Sequence, residues 1–174
     1  MRKDTPKHQL TMERLKPRNE VLSPDVRNRN RANFDHSTGV ISEMTFDSVY
    51  DEVEKIRIND TAPESVRSHF EIARNLVLYS WFVYSFNVVA AMQAFASLEM
   101  ALKAKTGEPK GGLKRQLEKV FSGRKLSSGV GPPVDLSVAL SNLRNDLADG
   151  SPTIHGQGLM IISACADLIN EIYG

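Results

Sequence analysis

Arg144, Asn145, Asp146 and Asp149 stand close together in the stretch Leu143-Arg144-Asn145-Asp146-Leu147-Ala148-Asp149-Gly150-Ser151. An arginine clamps phosphates or carboxylates through its planar fork of donors, and an asparagine beside it supplies both donors and acceptors. Proton transfer needs a carboxylate or an imidazole, and His155 is the histidine nearest in sequence, with ten residues between it and Arg144. Arg144 also lies beside Leu136, Leu140, Leu143 and Leu147, which fall at steps of four, three and four along one helical stripe. An arginine in that setting can serve as a structural ion-pair partner in low-dielectric surroundings. Glu99 is the candidate partner. Asp146 is a second one, although a two-residue separation on a helix points side chains apart.

A second group lies near the N-terminus, where Arg27, Arg29 and Arg31 alternate with Asn28 and Asn30 and are followed by Asn33. Such a run suits phosphate contacts, as an RNA-binding arm would make them, but Phe34 is the only aromatic beside it for stacking. His8, His36 and His69 make no metal-ligand spacing with one another or with Cys165, so neither a metal nor a cofactor is expected. Gly111-Gly112 and Gly129-Val130-Gly131 lack the Lys-Ser/Thr or strand-helix context of a phosphate-binding loop.

The elements that must hold these residues read as helices. The leucine stripe begins after Asp135, a suitable N-cap, and stops at Gly150. An earlier helix over about residues 45–58 has Thr45 as cap and Phe46, Val49, Val53 and Ile56 at helical spacing. Thr61-Ala62-Pro63-Glu64 has the form of a capping box and opens a long helix, expected to break near Ser85-Phe86-Asn87, resume to Lys105 and stop at Thr106-Gly107-Glu108-Pro109. A short helix follows from about Leu113 to Phe121, then the turn-rich loop Ser127 to Pro133, and last an apolar helix from about Gly158 to Tyr173. No strand run bounded by hairpin turns is visible. The fold class is all-α, a bundle of about five helices.

Composition bounds the rest. The 174 residues fit one domain, read as 41–174, behind a basic polar arm over residues 1–40. Residues 1–34 carry nine Lys or Arg against four acids, broken by Pro6, Pro17 and Pro24, and read as a solvated tail or an extension ordered by a partner. The whole chain is nearly neutral, with 22 Lys and Arg against 21 Asp and Glu, so any basic surface must be local. A single cysteine excludes an intramolecular disulfide, and the start Met1-Arg2-Lys3-Asp4 lacks a following apolar segment, so a cytoplasmic setting is expected. Asn75 to Leu98 runs 24 residues without a charge, long enough for a membrane span, but its interspersed Asn, Gln and Ser residues and charged helical flanks read as a buried central helix. No membrane association is expected.

Three segments in order resemble HEPN domains, the helical domains of many prokaryotic toxin and defence proteins. Ala91 to Lys103 is similar to the family's central helix, Gly112-Leu113-Lys114-Arg115-Gln116-Leu117 to the short helix after it, and Arg144-Asn145 to the start of its signature, an arginine, a polar residue often Asn, and a histidine a few positions on. With the terminal helix, the match covers roughly residues 62–173. The resemblance implies a helical domain that pairs with itself and brings two motifs to a shared cleft, where active relatives cut RNA without metal. Carried over, it implies that Arg144 holds the phosphate and Asn145 fixes geometry, while Asp149 takes the place of the proton-transferring histidine.

Aspartate fits that place poorly. Its reference pKa of about 3.9, against about 6.5 for histidine, leaves a weak base and almost no acid at neutral pH. It brings negative charge toward a phosphate, at a helix C-terminus where the macrodipole favours a cation. The function expected is therefore a catalytically degenerate HEPN-like interaction module, a homodimer that contacts RNA or a toxin, antitoxin or defence-system protein. The alternative is a metal-independent endoribonuclease using Arg144 with Asp149 or His155.

Overall fold

A computed structural model describes residues 14–29, 31–34, 38–127, 132–150 and 157–174. After a short 3-10 helix (Arg18–Glu20), six α-helices and two small antiparallel ribbons make up the regular structure of the described residues: β1 (Ala32–Phe34), β2 (Ile41–Glu43), α1 (Phe46–Lys55), α2 (Glu64–Tyr79), α3 (Phe86–Thr106), α4 (Leu113–Val120), β3 (Lys125–Leu126), β4 (Val134–Asp135), α5 (Leu136–Ala148) and α6 (Gly158–Tyr173). The chain is an all-α helical bundle. The ribbons, which pair Ala32 with Glu43 and Lys125 with Asp135, correct the expectation of no strands. At two or three residues, they are too short for a two-residue periodicity to show in sequence.

Helix boundaries follow local chemistry. Thr45 caps α1 as expected, accepting from the Ser48 amide at 3.1 Å while Ser48 Oγ accepts from the Thr45 amide at 2.9 Å. The capping box expected at Thr61 does not form. Residues 59–62 close a turn of their own through Ala62 N–H to the Asn59 carbonyl, and α2 begins two residues later with Pro63 as its N-cap. The break in the long helix falls at residues 80–85, slightly earlier than expected, where Ser80 Oγ donates to the Val77 carbonyl at 2.6 Å. This break divides the uncharged stretch between α2 and α3, and among the described residues no helix is long and apolar enough to cross a membrane.

The central helix is α3, which packs chiefly against α2 and α6. Its Phe95, Leu98 and Leu102 meet Phe70 of α2 and Ile162 and Ile169 of α6 in one cluster, all at most 1 % exposed. Burying side chains of this size contributes roughly 1.5–3 kcal/mol each. At the α3–α6 crossing Gly158 lies so close to Asn87 that an added Cβ would stand 2.6 Å from Asn87 Oδ1. The outer side of α6 is less apolar in its setting than in its sequence, because Met160 and Ala164 face solvent.

Polar side chains fix the connections. Asn170 accepts from the Asn59 amide and donates to the Arg57 carbonyl, holding the α1–α2 link on α6. Gln116, fully buried on α4, accepts from Thr106 Oγ1 at 2.9 Å and donates to the Glu108 carbonyl at 3.0 Å. That pairing seats α4 against the end of α3, where Gly107 terminates the helix at φ 68°. Asp135 caps α5 by accepting from the Ser137 amide at 2.8 Å. The Ser137 hydroxyl and amide hydrogen bonds lower the Asp135 carboxyl below its usual range. Leu136, Leu140 and Leu147 are buried and Leu143 packs at the core margin, which fixes the rotation of α5 and carries Arg144 to the surface beside α3 and α4.

Candidate functional site

A cavity of about 260 Å³ opens where α3, α4 and α5 meet, lined by Glu99, Gly112, Leu113, Lys114, Ser141, Arg144 and Asn145. Arg144 Nε lies 3.8 Å from Glu99 Oε1, and Lys103 Nζ lies 3.7 Å from Glu99 Oε2. Both separations exceed hydrogen-bond length, so neither oxygen is closely saturated by these cations. Sequence pattern suggests low-dielectric surroundings for the Arg144–Glu99 pair. The pair is open to water, with side chains 40 % and 20 % exposed, because Arg144 lies at the edge of the leucine stripe. Pairs this exposed contribute about 0–1 kcal/mol.

Lys114 and Ser141 were not singled out from the sequence. Lys114 reads as one more charge on the solvent side of α4, and Ser141 as a neutral residue between leucines. Only the packing of α4 on α5 brings them together. Ser141 Oγ is buried and has no hydrogen-bond partner among the described residues.

Asp149 is not part of this lining. It is the exposed C-cap of α5 at φ −81°, its amide donates to the Asn145 carbonyl at 2.8 Å, and Gly150 follows at φ 75°. Five residues of helix turn Asp149 about 140° away from Arg144 at roughly 100° per residue. Asn145, by contrast, shares the cavity with Arg144. His155, the other proton-transfer candidate, lies outside the described residues, as do His8, His36 and Asn30.

The arginine-rich segment sits elsewhere. Asp25, Arg27 and Asn28 lie against the α2–α3 junction, a tie that reading residues 1–40 as a solvated tail does not anticipate. Buried Asn28 donates to the Ser80 and Trp81 carbonyls, both at 3.0 Å, and the Asp25 amide donates to the Trp81 carbonyl at 2.9 Å. Asp25 receives two hydrogen bonds from the Arg27 guanidinium, at 2.8 and 2.9 Å, while that guanidinium lies 4.5 Å from the centre of the Tyr84 ring. Arg31 donates to Asn28 Oδ1 at 3.4 Å, and Arg29 is exposed on the rim of a groove that reaches Val83 and Phe86. Composition reports the positive charge here but not that Asn28 finds two backbone acceptors. Glu99 follows Phe86 by 13 residues, about 20 Å along α3, so Arg27 and Arg144 mark separate places on one chain.

Burial alone would raise the Asp25 carboxyl, but hydrogen bonds from the Arg27 side chain and amide and from the Tyr84 amide outweigh it and lower the group from 3.8 to about 2. A carboxyl held below its unfolded value stabilises the fold fully above about pH 4, and that contribution is lost as the pH falls toward 2. Its size is about 1–2 kcal/mol. Urea midpoints measured from pH 5 to pH 2 should fall less steeply for Asp25→Asn than for the unmodified chain. Parallel curves would contradict the tie.

A histidine–serine contact joins α2 to α3. His69 Nδ1 and Ser97 Oγ are 2.8 Å apart, and Gln93 Nε2 lies 3.2 Å from His69 Nε2. Ser97 is fully buried and its hydroxyl donates to the Gln93 carbonyl at 3.0 Å, so this contact locks two helices rather than presenting a nucleophile. Cys165 is likewise enclosed, and burial pushes its thiol up to about 12. Among the described residues no group of three or more His, Cys, Asp or Glu could hold a metal ion. Comparison with family models, curated proteins and solved structures gave no match.

Proposed function

We propose that this chain is a HEPN-like interaction module that contacts RNA through Arg144 and Asn145 and has lost the residue that would cut it. The observation that carries the reading is an exposed aspartate, unsuited as a base, at the C-cap where the resemblance puts the proton-transferring histidine. General acid–base catalysis requires the proton-transfer group within hydrogen-bond reach of the reacting atom. An arginine open to solvent beside Asn145 can still hold a phosphate. The test is retention of a labelled single-stranded RNA by the full chain in chelator, with affinity falling as salt rises because phosphate contacts release counterions. Salt-independent retention, or none, would contradict it.

In this reading two copies pair. Ile72 and Tyr79 of α2 and Val89 of α3 are 48–53 % exposed, and residues 75–98 carry no charge that would oppose itself across a two-fold axis. Light scattering should report a dimer at micromolar concentration. A monomer throughout that range would refute the pairing. A toxin, antitoxin or defence-system protein is the kind of partner such a module would regulate.

A further inference from the structure

We infer that the cavity between α3, α4 and α5 takes a single ribose-phosphate unit, with Lys114 and Ser141 completing a site that Arg144 and Asn145 begin. This deepens the RNA-contact reading and rests on it for the class of polymer.

The lining combines several donors with one acceptor. Lys114 and Arg144 are cations, Asn145 carries an amide, and Ser141 contributes a hydroxyl, all on one cavity. Ser141 Oγ is the most telling of these. A buried hydroxyl without a partner costs stability, and rotation of the Ser141 side chain to another staggered rotamer would turn it toward a ligand oxygen in the cavity. The cavity also reaches the start of α4, whose N-cap Gly112 supplies no side-chain hydrogen bond and would tolerate a Cβ without contact within 4 Å. First-turn amides at such a start favour an anion. Lys114 is only loosely engaged, 3.9 Å from Glu118 Oε1, and can swing toward a phosphate without losing a close partner.

Glu99 supplies the other half of the recognition. Its oxygens lie 3.8 and 3.7 Å from Arg144 and Lys103, distances that balance its charge and leave acceptor capacity. A carboxylate facing a bound phosphate would repel it, whereas one facing a sugar hydroxyl accepts its proton in a hydrogen bond. Cations and donors beside a single carboxylate acceptor match a phosphate joined to a hydroxyl-bearing ribose. The volume of about 260 Å³ suits a sugar phosphate without its base.

The experiment titrates the full chain with adenosine 3′-monophosphate, its 2′-deoxy counterpart and adenosine, following backbone amide shifts by NMR. Adenosine 3′-monophosphate should shift Lys114, Ser141 and Asn145 in saturating fashion, the deoxy compound should bind at least threefold more weakly, and adenosine should leave them unmoved. Lys114→Ala and Ser141→Ala should each weaken binding about tenfold to a hundredfold, the scale of one charge-assisted hydrogen bond. Ser141→Ala should keep or raise the melting temperature, since it removes an unsatisfied atom, a combination that a purely structural serine would not give. Glu99→Ala should bind the two nucleotides alike. Equal shifts from adenosine, or undiminished binding by both Lys114→Ala and Ser141→Ala, would overturn the inference. RNA retention without any nucleotide shift at these amides overturns this site alone, whereas loss of both overturns the RNA reading too.

Discussion

Gly158→Val should lower the folding stability of this chain by about 1–3 kcal/mol, the range for forcing side-chain atoms into a filled contact. The helix α6 enters the bundle at Gly158 directly over Asn87 of α3. A Cβ there would lie 2.6 Å from Asn87 Oδ1, 2.9 Å from its carbonyl oxygen and 3.0 Å from its Cα. Two of those three atoms are backbone, so no rotamer change relieves the clash, and Asn87 itself is held by donating to the Tyr84 carbonyl at 3.0 Å. Either α6 must tilt away or its first turn must unwind, and both expose Ile161 and Ile162. Urea unfolding would show the loss as a lower midpoint. An unchanged midpoint would mean that the two helices do not approach as described.

Arg144→Ala should weaken retention of single-stranded RNA about tenfold to a hundredfold, as expected when a charged donor to phosphate is lost. The same variant should lose less than about 1 kcal/mol of stability, because its partner Glu99 stands 3.8 Å away in a water-exposed pair. The two readouts separate the two roles this arginine could have. A phosphate clamp changes binding and spares the melting temperature. A structural ion pair does the reverse, leaving Glu99 with Lys103 alone and the α3–α5 packing weakened, and a large fall in melting temperature with RNA retention intact would assign Arg144 to the scaffold.

Much of the bundle could be read in the sequence because its helices announce themselves locally. Thr45 and Asp135 are caps whose side chains act within three residues, and the stripe Leu136, Leu140, Leu143 and Leu147 needs no distant partner to be seen. Gly107 stops α3 by its own backbone freedom, at φ 68°. Where the reading failed, a competing local bond or a distant one decided the outcome. The turn from Asn59 to Ala62 displaced the box expected at Thr61. Asn28 looked like part of a solvated run until its amide met the Ser80 and Trp81 carbonyls, more than fifty residues away in sequence.

The candidate site was legible only in part for the same reason. Glu99 and Arg144 could be matched as opposite charges on helices expected to pack, and they face the same cavity. Nothing in the sequence places Lys114 and Ser141 beside them, because that proximity depends on how α4 folds back through the buried Gln116 and the β3–β4 ribbon. Asp149 was visible as a substitution within a motif-like stretch, but its turn away from Arg144 is a matter of helical phase at the C-cap.

Incubation of end-labelled single-stranded RNA with the purified chain in excess chelator, with Arg144→Ala run alongside, separates binding from cleavage. The unmodified chain should retain the RNA and leave it intact, and Arg144→Ala should release it. Cleavage by the unmodified chain that disappears in Arg144→Ala would contradict the account and make the protein a metal-independent ribonuclease.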